Sequence, residues 1–119
     1  MNAESSADPK IVILLASDQV GHGPEELGRV LTRSFLKTLK EAVPRPWRVI
    51  FLNTGVQLAL EGSAVVEDLQ TIEERGTEIL SCGTCLDYFE ARDRLRAGRV
   101  SNMQEIVASL LTADRVVRP

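Results

Sequence analysis

The sequence predicts an α/β protein, a three-layer α/β/α sandwich built on a five-stranded parallel sheet. Three observations carry this. Short β-branched apolar runs alternate with segments whose apolar residues recur every three or four positions, which gives the order βαβαβαβαβ. The links between them are short, and such alternation favours parallel strands joined by right-handed helical crossovers. The chain has 119 residues, enough for one domain with a single core.

Residues 1–9 are expected to form a flexible N-terminal segment, with residues 10–119 as a single α/β domain. "KIVILLAS" is a continuous aliphatic run, the pattern of a strand covered on both faces. Pro24 suits the first turn of a helix, and Glu25 and Glu26 suit its positive end. Leu27, Val30, Leu31, Phe35 and Leu39 keep the helical period, and Pro44 stops it. "WRVIFLN" is the second strand, followed by the short apolar connection "VQLALEG". Ser63 is placed to cap a helix carrying Val65, Val66, Leu69 and Ile72, and Gly76 ends it. "TEILS" is the third strand, with a helix from about Thr84 to Arg96 behind it. "GRVS" is a brief fourth strand. Ser101, three residues before Gln104, has capping-box spacing and opens a helix with Met103, Ile106, Val107, Leu110 and Leu111 inward. "DRVVR" closes the chain as a fifth strand.

Composition narrows the function classes. The net charge is −3, which argues against a general nucleic-acid binder. The basic stretch "ARDRLRAGR" is interrupted by Asp93 and reads as the wet face of a helix. No apolar run approaches the roughly 18 residues of a membrane span. "MNAESSADPK" has neither a basic start nor an apolar core, so a cytoplasmic location is expected, where thiols stay reduced. Nucleotide binding fits poorly: the sixth position of a G-x-G-x-x-G pattern begun at Gly21 is Glu26, and no Walker lysine is present. No cofactor is called for.

The chemistry concentrates in "SCGTC". Both cysteines of the chain, Cys82 and Cys85, sit at the end of the third predicted strand and the start of the next helix. Ligands of open parallel sheets bind beyond the C-terminal strand ends. The segments arriving there are "SDQVGHGPEE", "NTGV", "SCGTC" and "SN". Gly83 and Thr84 offer close backbone approach and N–H donors, and His22 and Asn53 are candidates on the same rim. A helix start favours an anion, and thiols so placed can fall from about 8.5 to roughly 3.5–7.5. Zinc needs about four ligands, and two thiols with the single His22 supply too few unless subunits share a site. Sulfur transfer through a persulfide, a dithiol redox role and two inert core cysteines remain open on the residues alone.

"SDQVGHGPEELGRVLTRSFLKTLKE", "NTGVQLALEGS" and "EILSCGTCLDYF…GRVSNMQEIV…LLTADRVVRP" resemble the C-terminal domain of the YedF proteins, within the DsrE/DsrF-like (YchN-like) superfamily. The likeness runs from Lys10 to Pro119. It implies a sheet ordered 4-3-2-1-5 and a sulfur-handling protein, in sulfur relay or selenium metabolism. By position, Cys82 is the implied sulfur acceptor, with Cys85 as resolving thiol. The TusA-like domain that precedes this unit in YedF proteins does not match any part of the sequence. The implied partner is therefore a sulfur donor or acceptor protein carrying such a domain. A homo-oligomer, dimer or trimer, is expected, and Val56, Leu58, Leu60, Val65 and Val66 are the apolar residues expected near the contact. The alternative is a non-catalytic oligomeric module whose CxxC is a redox switch or a shared metal site.

Overall fold

The structure, a computed structural model, describes residues 8–119. The proposed N-terminal segment 1–9 thus lies almost wholly outside the described residues. Five strands form one parallel sheet in the order β4-β3-β2-β1-β5. They are β1 (Ile11–Leu15), β2 (Arg48–Phe51), β3 (Glu78–Cys82), β4 (Arg99–Ser101) and β5 (Arg115–Val117). The helices are α1 (Glu25–Leu39), α2 (Val66–Glu74), α3 (Gly83–Tyr88) and α4 (Met103–Thr112). Both the class and the strand order agree with the sequence analysis.

The order dictates how the layers fill. From β1 to β4 the chain steps in one direction along the sheet, so right-handed crossovers put α1, α2 and α3 on one face. The connection from β4 to β5 runs back past all the others and puts α4 alone on the opposite face. The two cores follow. Ile11, Ile13, Leu15, Val49, Phe51 and Ile79 meet Leu36, Leu39, Leu69, Ile72 and Leu86 on the first face. Val12, Ile50, Leu80 and Cys82 meet Ile106 on the second. Alternate strand residues supply the two cores, as the pleat requires.

A single helix covers a sheet face with one narrow stripe, and this corrects the expected packing of α4. Ile106 and Ser109 are buried, whereas Met103, Val107 and Leu111 are exposed, Leu111 at 80%. The helix is rolled toward the Ile106–Ser109 edge by a polar clamp. The Arg99 guanidinium donates to both Glu105 oxygens at 2.9 and 2.7 Å, Ser101 Oγ donates to Glu105 at 2.6 Å, and Arg48 donates to Ser109 Oγ at 2.6 Å. On α1 the buried residues are Gly28, Thr32, Leu36 and Leu39, and Leu27, Val30 and Leu31 face out.

Other local differences have equally direct causes. The first four residues of "VQLALEG" belong to a 3₁₀ helix, Asn53–Ala59, that tucks Val56 and Ala59 into the first core. Val56, Leu60 and Val65 are at most 5% exposed, so three of the five residues expected near an oligomer contact are covered within the chain itself, while Leu58 and Val66 are half-buried. Asn102, not Ser101, caps α4, its Oδ1 accepting the Glu105 N–H at 2.8 Å. Ser63 lies just outside α2 and accepts the Val65 N–H at 3.2 Å. The helix expected over 84–96 is broken in two. The chain leaves α3 through Glu90 at φ 52° and makes a separate 3₁₀ turn, Arg92–Arg94.

Candidate functional site

The site lies where β2 and β3 end. Cys82 is the last residue of β3, paired with Ser101 of β4, and Cys85 is in the first turn of α3. Strand alternation turns Cys82 to the α4 side, where it is 2% exposed among Val12, Ile50, Leu80 and Ile106. Cys85 is half-buried and packs against both cores. Neither cysteine is in a disulfide.

Asn53 follows β2 with a left-handed backbone, φ 52°, a region that Asn enters more readily than most residues. This turn aims its N–H at Cys85 Sγ, 3.1 Å away. The turn is braced from several sides. Asn53 Oδ1 accepts the Thr54 N–H at 2.8 Å, and Thr54 Oγ1 accepts the Asp18 N–H at 3.2 Å. The Leu52 N–H donates to the Leu15 carbonyl at 3.1 Å. Gly55 sits so close to the end of β1 that a Cβ there would lie 2.3 Å from that same carbonyl oxygen.

The thiol electrostatics differ from the sequence expectation. Burial pushes the Cys85 thiol up from its ordinary value, the Asn53 N–H pulls it down, and the neighbouring Cys82 pushes it up again.

The remaining rim candidates separate. Thr84 is exposed at the start of α3. Gly83 is buried, and the space beside it is already filled: a Cβ would lie 2.8 Å from Arg92 Nη2 and 3.1 Å from the Ser101 carbonyl. Its small size serves contact within the chain. Arg92 is held there by a two-point pair with Asp87, at 2.5 and 3.2 Å. His22 lines a separate cavity of about 590 Å³, with Ser17, Gln19, Glu25 and Arg118 among its walls and neither cysteine among them. The structure thus joins Cys82, Cys85 and Asn53 and leaves His22 in another cavity. Sequence reasoning read Asp18 as a loop-capping residue and set the Asn53–Gly55 loop beside the cysteines, but missed that Thr54 and Gly55 brace the turn. The one available hint was the Asn-Thr-Gly turn signal directly after a strand. Among the described residues no group of three or more His, Cys, Asp or Glu side chains is arranged to hold a metal ion.

No protein-family model matches the sequence, and no curated protein does. Solved structures do. The YchN protein from E. coli superimposes with a TM-score of 0.70 at 18% identity, over 93% of this chain and 99% of that one. A protein of unknown function from Methanobacterium thermoautotrophicum gives 0.70 at 20% identity, over 94% and 100% of the two chains. One from Bacteroides thetaiotaomicron gives 0.67 at 15%, over 99% and 100%. Likeness at this level of identity speaks to architecture, and with the parallel 4-3-2-1-5 sheet it establishes that this chain has the DsrE/DsrF-like fold of YchN.

Proposed function

We propose that this is a sulfur-handling protein that carries sulfane sulfur as a persulfide on its Cys82–Cys85 pair, a YedF-type member of the DsrE-like group acting in sulfur relay or selenium metabolism. The observation that carries the reading is the pair itself: two free thiols, neighbours at the C-terminal end of an interior strand, one of them reachable. The chemistry needs nothing further at the site. A thiolate of the pair attacks the outer sulfur of a donor persulfide, R–S–SH; a new S–S bond forms, the donor S–S bond breaks, R–S⁻ leaves, and the proton stays on the transferred sulfur as Cys–S–SH. An acceptor thiolate then takes the outer sulfur by the same exchange, with no change in redox state. Alternatively the second cysteine attacks the inner sulfur, closes the Cys82–Cys85 disulfide and expels HS⁻, the sulfane sulfur being reduced as the thiols are oxidised; a dithiol reductant then restores the pair. The resemblance implies Cys82 as acceptor and Cys85 as resolving thiol.

A second reading rests on the two free thiols themselves: a binding module whose CxxC is a redox switch. Intact-mass spectrometry after treatment with polysulfide separates the two. Sulfur loading adds about 32 Da per atom to the wild type and nothing to Cys82→Ser/Cys85→Ser. A wild type that only loses two hydrogens, forming a disulfide without gaining sulfur, establishes the switch instead.

The same reading takes the protein as cytoplasmic and as a homo-oligomer, dimer or trimer, that exchanges sulfur with a partner bearing a TusA-like domain. No helix among the described residues is long and apolar enough to cross a membrane. Support for self-association rests on Met103, Val107 and Leu111 along α4, the thinly covered side of the sheet.

A further inference from the structure

We infer that Cys85 is the thiol an incoming electrophile meets, and that Asn53 selects it by aiming a backbone N–H at Cys85 Sγ from a left-handed turn. This reverses the order of the two thiols that the resemblance implies, and it rests on the proposed function only in taking the electrophile to be sulfane sulfur.

Access is the first argument. At 2% exposure Cys82 is enclosed by Val12, Ile50, Leu80 and Ile106, and a donor held on another protein cannot bring its sulfur into line with it. Cys85, one helical turn on, is half-open. The second argument is the fixed donor. An N–H at 3.1 Å stabilises a thiolate more than a thiol, and it is already in place before any substrate arrives. The bracing of its turn by the Asn53 side chain, Thr54, Asp18 and the Leu15 carbonyl explains why a non-glycine residue is held at φ 52° here. Of the groups acting on Cys85, burial and Cys82 both disfavour the thiolate, and the Asn53 N–H alone favours it. The step is the exchange already written, with Cys85 as attacking thiolate and Cys82 placed behind it for the resolving attack.

The test uses no sulfur donor. The reduced, folded chain is given a limiting dose of iodoacetamide, and fragment-ion mass spectrometry locates the label. Cys85 should carry it, with Cys82 labelled only in denaturant; label on Cys82 first, or on both equally, overturns the assignment. The part played by Asn53 is read from the pH profile of the alkylation rate. Asn53→Gly keeps the left-handed turn and its N–H, so its midpoint should match the wild type. Asn53→Val cannot hold that turn, and its midpoint should rise. A rise of about one unit removes roughly tenfold of the thiolate and, since the remaining thiolate is more nucleophilic, slows alkylation about threefold at fixed pH. If Asn53→Val does not fold, Asn53→Ala replaces it with the same expected direction. A profile identical to the wild type in the Val or Ala variant, or a Gly variant shifted as far as they are, overturns the role of Asn53. Labelling of Cys82 first would leave sulfur loading of the pair intact, and failure to load sulfur would leave the labelling order intact.

Discussion

Gly55→Ala probes the joint between fold and site, and the close approach of Gly55 to β1 sets its cost. The added Cβ would stand 2.3 Å from the Leu15 carbonyl oxygen and 3.2 Å from its carbon. Ordinary contact begins at 3.4 Å, so the 3₁₀ segment or the end of β1 must give by about 1.1 Å. Neither moves freely. Leu15 ends the interior strand β1, paired with Phe51, and the 3₁₀ segment is anchored by buried Val56 and Ala59. Overpacking of this kind costs roughly 1–3 kcal/mol. The shift also strains the Leu52 N–H bond to Leu15 at 3.1 Å, a bond worth about 1 kcal/mol net. The total is about 2–4 kcal/mol, which should lower the urea midpoint by roughly 1–2 M at a slope typical of a chain this size. Urea unfolding followed by far-UV circular dichroism measures it. Gly23→Ala is the control, since a Cβ there meets nothing within 4 Å. If Gly55→Ala changes stability by less than about 0.5 kcal/mol, the size expected of a neutral surface change, the close approach argued here is wrong.

Three further outcomes are expected. The Arg99 guanidinium, with Ser101 beside it, holds the Glu105 carboxyl down to about 2. A folded value below the unfolded one means this contribution is complete above about pH 4.5 and is lost as pH falls toward 2. Glu105→Gln should therefore flatten the acid side of the stability profile, and an unchanged acid slope in urea melts at pH 3 and 6 would refute it. Ser81 is fully buried and its hydroxyl has no hydrogen-bond partner among the described residues, so Ser81→Ala should raise stability by about 1 kcal/mol, and a clear loss would reveal a partner for that hydroxyl. If the exposed stripe of α4 mediates self-association, Leu111→Glu should reduce the mass seen by light scattering, whereas Leu58→Ser should leave the oligomer intact; a wild type that is monomeric at micromolar concentration removes the expectation.

The architecture was legible in the sequence because it rests on local pattern. "IVILL", "RVIF" and "EILSC" are too short and too apolar to be anything but buried strands, and the helical periods between them force the crossovers to lie over the sheet. The strand order was implied by the resemblance, and the pairings agree with it. Which side of a helix would be covered could not be read. Met103, Val107 and Leu111 keep the same period as Ile106, and only the Arg99–Glu105–Ser101 clamp, formed between residues of β4 and α4, decides that Ile106 turns inward. Within the apolar run after β2, Val56 and Ala59 are buried by a 3₁₀ segment that sequence periodicity does not reveal. The same division holds at the site. Two cysteines at a strand end marked the candidate site, since sequence spacing alone puts them on the rim. Their inequality, one thiol sealed on the α4 side and one facing a fixed N–H, depends on strand alternation meeting a left-handed turn from a different strand. That meeting joins residues 32 apart in the chain, a relation that tertiary packing alone creates.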